Sequence, residues 1–190
     1  MKSDPIQKYI LRSERNLGIA AAVSAAWPEV REKLGSAFLA RLDTRLKRKL
    51  KGWESGRWAR CFTDECPNFS LWKPAWKAQY SVTLQFDNYG ERMSFGLSRD
   101  EDQKHISKQP RSAEVLTAVR ERHPSAFDRT WWEAKVFMQS PATDWGKPEV
   151  LWQMHTDPKF LEDVAAQLLG VAEISEPIVN RFVDRLARKK

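Results

Sequence analysis

From Trp76 to Leu97 the chain reads WKAQYSVTLQFDNYGERMSFGL, and apolar residues fall on alternate positions. Trp76, Ala78, Tyr80, Val82, Leu84 and Phe86 share one side of an extended strand, because successive side chains of a strand point to opposite faces. Asp87-Asn88-Tyr89-Gly90 is a cluster of turn formers, and Met93, Phe95 and Leu97 alternate on the way back. The stretch predicts an antiparallel hairpin with one buried face. The rest of the chain must supply what covers that face.

The first 52 residues read as helical. Asp4-Pro5 is an N-cap followed by Pro at the first helical position, opening a helix that carries Ile6, Tyr9 and Ile10 and ends near Asn16–Gly18. The stretch IAAAVSAA is a second short helix, closed at Trp27 before Pro28. A third runs from Pro28 to about Lys51, with Val30, Leu34, Phe38, Leu42 and Leu46 on one face, joined by Leu39 and Leu50; Gly52 stops it.

Beyond Gly52 the character changes. Arg57–Phe62 is a candidate strand, TDECPNFS and FSLWKPAW read as loop, and Ser98–Arg111 is a charged loop. A helix is predicted over Ser112–Arg122, with Val115, Leu116 and Val119 inward. Strands are predicted at Trp131–Met138 and Val150–Met154, with SPATDWGKP between them. Asp157-Pro158 caps a helix running to Leu169, where Gly170 stops it; its inner face is Leu161, Val164, Ala165 and Leu168. Ser175 caps a last helix with Ile178, Phe182 and Leu186 inward. The sequence therefore predicts an α+β fold: N-terminal helices, a central antiparallel sheet with its hairpin, and two C-terminal helices. It divides into a helical region over 1–52 and an α+β body over 53–190, together forming one compact unit.

Composition limits what such a chain does. It has 42% hydrophobic residues, nine Trp and nine Phe in 190 residues, which argues against intrinsic disorder. No apolar run reaches the roughly 20 residues of a membrane helix, and the start is not leader-like. A soluble intracellular, cytoplasmic protein with no membrane partner is expected. Cys61 and Cys66 form one C-x4-C, two soft ligands where structural zinc takes four; His105, His123 and His155 are scattered singly. They are read as two partly buried thiols.

No reaction is announced. There is no G-x-S-x-G, no G-x-G-x-x-G and no Walker lysine, so no nucleotide cofactor or other cofactor is indicated. His155 reads as a structural histidine. The pattern D/E-x-K occurs at Asp102-Gln103-Lys104, Glu133-Ala134-Lys135 and Asp157-Pro158-Lys159. A divalent-metal nuclease needs several carboxylates converging on the metal with a lysine beside them. Only Glu133 and Lys135 sit on a predicted strand, where they would share a face with Trp131 while Trp132 points to the other. The upstream Pro-Asp half is missing, and Val136-Phe137-Met138 follow the triplet instead of leading into it. No catalytic residue and no metal ligand is assigned.

Binding has better support. The net charge is +7, and Arg41, Arg45, Lys47, Arg48, Lys49, Lys51, Arg57 and Arg60 cluster within 20 residues, opposed only by Asp43 and Glu54. Trp53 and Trp58 follow closely, and cations interleaved with aromatics suit phosphates and bases. An acidic protein surface, or a merely solvated helix face, would fit the same residues. Nine Trp exceed what one small core usually buries, so Trp72 and Trp76 in FSLWKPAW, with Trp145 and Trp152, are candidates for an exposed recognition surface.

WKAQYSVTLQFDNYGERMSFGLSRD, DRTWWEAKVFM and PKFLEDVAAQLLGVAEISEPIVNRF, led in by FLARLDTRLKRKL, resemble the C-terminal, non-catalytic region of PD-(D/E)XK-superfamily proteins of bacteria and phages. The likeness covers roughly residues 36–185 and rests on packing features. It implies a binding module without its nuclease core. In size and bare chemistry the chain is also similar to anti-CRISPR proteins, type I-C inhibitors among them. That likeness implies a non-enzymatic protein of a phage or mobile element that occupies a protein or nucleic-acid surface of a host immune complex such as a CRISPR effector. A nucleic-acid-binding accessory protein of a defence system is the alternative, and a metal nuclease the third. Nothing in the residues fixes the oligomeric state.

Overall fold

The computed structural model describes residues 4–58, 60–62, 64, 67–76, 79–99, 113–139 and 142–187. In chain order the elements are α1 (Pro5–Ile10), α2 (Glu14–Lys47), β1 (Glu54–Trp58), β2 (Asn68–Trp72), β3 (Tyr80–Asp87), β4 (Arg92–Arg99), α3 (Ala113–Arg122), β5 (Phe127–Arg129), β6 (Trp132–Phe137), α4 (Pro148–Thr156) and α5 (Pro158–Ala187). The fold is α+β, as the sequence predicts.

The six strands form one antiparallel sheet in the order β1-β2-β3-β4-β6-β5. The predicted hairpin is its centre, with Leu84 opposite Phe95 and Val82 opposite Leu97. Trp76 falls outside it, on a short 3-10 turn at Pro74–Trp76. One face of the sheet is apolar. Phe69, Leu71, Val82, Leu84, Phe86, Met93, Phe95, Leu97, Ala134 and Val136 are buried there, beneath α2, α4, α5 and α3. Trp145 sits at the middle of this layer, fully buried, with its ring 5.1 Å from Phe38 of α2, 5.2 Å from Phe86 of β3 and 5.8 Å from Phe160 of α5. Its indole N–H donates to the Ala142 carbonyl at 3.0 Å. The core is continuous from Phe38 to Val179 and runs through the junction at residue 52.

Gly96 makes the β4–β6 pairing possible. Its φ is +153°, and a Cβ there would lie 1.9 Å from the Ala134 carbonyl oxygen. Only glycine lets the two backbones approach so closely.

Several predicted boundaries are corrected. The second and third N-terminal helices are one 34-residue helix, with Pro28 inside it. Pro28 removes a bond to the Ser24 carbonyl, yet Ser24 is exposed, so water takes the bond's place, and the alanines around it favour helix. The C-terminal pair is likewise one 30-residue helix, α5. Gly170 does not stop it: a Cβ there would meet the Arg122 guanidinium at 2.5 Å, so the glycine makes room for a neighbour. Ser175 is buried inside the helix rather than capping one. Val150–Met154 is helical, not a strand: Val150, Leu151 and Met154 turn inward while Trp152 is exposed. The first strand is Glu54–Trp58, earlier than predicted. Asn68–Trp72, read as loop, is a strand with Phe69 and Leu71 buried. Most of the charged Ser98–Arg111 loop, with Asp102-Gln103-Lys104 and His105, lies outside the described residues, as does Cys66. Cys61 is buried. No helix of the described residues is long and apolar enough to cross a membrane.

Candidate functional site

The predicted basic segment does not form one continuous surface. Arg41 donates to the Met154 carbonyl and, at 3.3 Å, to that of His155, closing the C-terminus of α4. Arg45 donates through Nε and Nη2 to one Glu162 oxygen of α5, at 2.9 and 2.7 Å. Lys47 pairs with Asp43 at 2.8 Å, and Asp43 also accepts from Ser55 Oγ at 2.5 Å. Arg41 and Arg45 tie α2 to α4 and α5, while Lys47 pairs within α2 with Asp43, the residue that reaches β1 through Ser55. Arg48, Lys49 and Lys51 remain exposed and make no ion pair among the described residues. Beside Arg48 lies a shallow depression of about 460 Å³ between α2 and α5, lined also by Thr44 and Leu161. Arg60 is exposed, its backbone N–H donating to Asp64 at 2.6 Å. Arg57 and Trp58 fall on β1, and their side chains lie outside the described set.

The predicted tryptophan surface is corrected more strongly. Trp53 is 8% exposed and Trp76 fully buried, packed edge to face at 4.9 Å. The Trp76 indole donates to Asn180 of α5 at 2.8 Å. Trp145 is the centre of the core. Trp72 is half-buried and donates to Glu54 at 3.0 Å. Amphipathic rings with a partnered N–H are well accommodated inside, so Trp53, Trp76 and Trp145 belong to the core, while Trp27, Trp131 and Trp152 are exposed, as the number of tryptophans predicts for some of them. Of the candidates whose side chains are described, only Trp152 is largely exposed.

The second face of the sheet is polar. Ser70, Ser81, Thr83 and Ser98 form a connected chain of hydroxyls across β2, β3 and β4, at 3.0 Å for Ser70–Thr83, 2.7 Å for Thr83–Ser98 and 2.8 Å for Ser81–Ser98. Farther along β3, Asp87 accepts from Ser94 Oγ at 3.0 Å and from Lys135 Nζ at 2.8 Å.

Glu133-Ala134-Lys135 is therefore a strand segment, but not the triplet the alternation predicts. The β4–β6 register shifts between Leu97 and Ser98, so that Ser98 faces Trp132 and Glu133 is the extra residue of a bulge. Glu133 turns to the helix-covered side. There it is 3.8 Å from Arg99, which pairs across the strands with Tyr80. Burial raises the Tyr80 phenol above its ordinary value; Glu133 adds to the rise and Arg99 opposes it. Lys135 stays on the polar face with Trp132, whose ring centre is 5.1 Å from Nζ. The acid and the lysine thus serve different faces. Among the described residues no group of three or more His, Cys, Asp or Glu could hold a metal ion.

Lys135 instead forms the floor of a groove of about 550 Å³ at the β5–β6 edge. Its wall is aromatic and cationic. Arg92 lies over the Phe137 ring at 3.5 Å, and Arg129 over Phe127 at 5.6 Å. Trp131 stands on the rim at 52% exposure while Trp132 is 4% exposed. Three cations face one carboxylate, Asp87. The sequence signals the tryptophan pair but not its companions, because Asp87 lies 48 residues upstream of Lys135.

A third hollow, of about 580 Å³, lies on the helix side between Phe95, His123 and Phe160. The His123 ring packs edge-on to Phe95 at 5.2 Å, and its buried Nε2 has no hydrogen-bond partner among the described residues. Burial, with a smaller contribution from Arg122, holds its pKa below the ordinary histidine value.

No family model, characterised protein or solved structure matches this chain. The class its architecture defines is an α+β domain with one helix-covered and one polar sheet face.

Proposed function

We propose that this is a non-enzymatic binding protein whose polar sheet face contacts a single-stranded segment of nucleic acid, within a host nucleoprotein complex of the kind that anti-CRISPR-like proteins inhibit. The observation that carries the reading is Trp131, half exposed at the mouth of a groove that also holds Arg92, Arg129 and Lys135. A base stacks on an exposed ring whatever its identity, and neighbouring cations take the phosphates. Arg92 and Arg129 already lie on Phe137 and Phe127, which orders their guanidinium groups before a ligand arrives.

The exposed Arg48, Lys49 and Lys51 support a second contact, with an acidic protein or a neighbouring phosphate, from the helix layer. They lie away from the groove, so the two surfaces are separable by mutation. The test is fluorescence anisotropy with short labelled DNA and RNA strands over a salt series, followed by pull-down of immune complexes from a bacterial host. Expected is affinity that falls steeply with salt and is lost in Trp131→Ala with Arg129→Glu. No binding to either nucleic acid at low salt overturns the nucleic-acid reading. Recovery of no immune subunit overturns the inhibitory one.

A further inference from the structure

Eight of the ten large hydrophobic side chains exposed among the described residues lie between Ile6 and Val30. On α2 they are Leu17, Ile19, Val23, Trp27 and Val30. From Asn16 to Pro28 the helix has no charged residue on any side. A helix that is apolar all round is normally a buried one, yet every residue from Ala21 to Val30 is exposed. The helix joins the body at Arg31, whose guanidinium lies over the Phe62 ring at 5.4 Å, and at Glu32, whose carboxylate accepts from the backbone N–H groups of Cys61 and Phe62 at 3.0 and 3.1 Å. Before that point α2 is an arm of nearly five turns, about 26 Å long at 1.5 Å per residue.

The arm is self-complementary when reversed. Arg15 and Glu29 each lie seven residues from Ala22, a spacing of two turns that keeps all three on one line of the helix. About a two-fold axis at Ala22, Arg15 of each copy meets Glu29 of the other, and the small side chain at the centre lets the helices come close. Ile19, Val23, Ala26 and Val30 recur at helical spacing beside that line and fill the seam. Glu29 pairs with Lys33, one turn on, at 3.0 Å in a largely exposed pair of little worth, with a smaller attraction from Arg60. The antiparallel sense sends the two bodies to opposite ends of the paired arms. A specific interface buries about 800 Å² per partner, and two five-turn arms with α1 of each laid alongside supply surface of that order.

We infer that the chain forms a homodimer through an antiparallel pairing of its two Glu14–Val30 arms. The inference is independent of what the sheet groove binds. Sedimentation equilibrium of the full chain over a concentration series tests it, with circular dichroism to confirm that each variant is folded. The expected result is a monomer–dimer equilibrium that Ile19→Glu with Val23→Glu abolishes. Arg15→Glu alone should weaken the dimer at least about fivefold, since two rim pairs are lost. Adding Glu29→Arg to it should restore the dimer, because reciprocity is kept. A chain that stays monomeric at its highest soluble concentration overturns the inference, and so does a dimer insensitive to the glutamate pair. Binding of anionic phospholipid vesicles by a monomeric arm overturns it too, in favour of a membrane surface.

Discussion

Lys135 holds Asp87 at 2.8 Å on the polar face of the sheet, joining β6 to β3 across the whole width of β4. Both side chains are largely shielded, at 11% and 22% exposure, and Ser94 supplies Asp87 with its other hydrogen bond. Removing one partner leaves the other charge poorly solvated, whereas removing both leaves an ordinary polar surface. Lys135→Met should therefore destabilise the fold by roughly 1–3 kcal/mol, and Asp87→Asn by a similar amount. The double replacement should cost less than the sum of the two. Urea unfolding of the three variants measures the coupling, and strict additivity would remove the pair from the list of stabilising contacts.

Trp131 should behave differently from its neighbour Trp132. At 52% exposure it contributes little to the fold, so Trp131→Ala should unfold within about 0.5 kcal/mol of the parent. Its affinity for a single strand should fall about 5- to 160-fold, the usual worth of one stacked base. Trp132, 4% exposed, should lose stability instead. Equal stability losses at both positions would show that Trp131 is a packing residue.

Trp145 touches α2, β3 and α5 at once, through Phe38, Phe86 and Phe160. Trp145→Ala opens a cavity that none of the three can fill alone and should cost about 3–5 kcal/mol. Near-ultraviolet circular dichroism should lose most of its aromatic signal before helix content falls.

His123 predicts a pH dependence whose sign is fixed by its burial. Its folded pKa is lowered, first by burial and then by Arg122. The unfolded chain therefore takes up the proton more readily, and stability falls as pH drops below the unfolded value of about 6.5. Above that value the group contributes no slope. Replacing His123 by Phe should flatten the stability profile between neutral and mildly acid pH, and thermal melts across that range test it. An unchanged slope would assign the acid sensitivity to carboxylates.

How much of this was legible depends on how local the signal was. The β3–β4 hairpin was read correctly because alternation and turn chemistry both lie within the segment itself. The inward faces of α2 over Phe38–Leu46 and of α5 at Val164, Ala165, Leu168 and Ile178 were read for the same reason, but Val30, predicted inward, is exposed. Their lengths were not, since proline and glycine were read as breaks. Pro28 loses only a solvated bond, and Gly170 answers to a guanidinium from α3. Val150–Met154 was ambiguous because a short apolar run fits a strand or a helix; packing against α2 and α5 decided it. The groove was the least legible part. Its tryptophan pair stands out, but the bulge that turns Glu133 from Lys135 depends on pairing with β4. Arg92, Asp87 and Phe127 come together only through strand order.

The single rod of α5 has a consequence for how the molecule opens. Phe160 near its start rests on Trp145, and Asn180 near its end holds Trp76. Thirty residues at 1.5 Å each make it about 45 Å long, enough to underlie the sheet from one end to the other. Neither half of the sheet can then separate from the helix without freeing the other. Amide protons of β2, β3, β4 and the middle of α5 should exchange with solvent as one protected class, at the rate of global opening. The arm before Arg31 should exchange as a distinct and faster one.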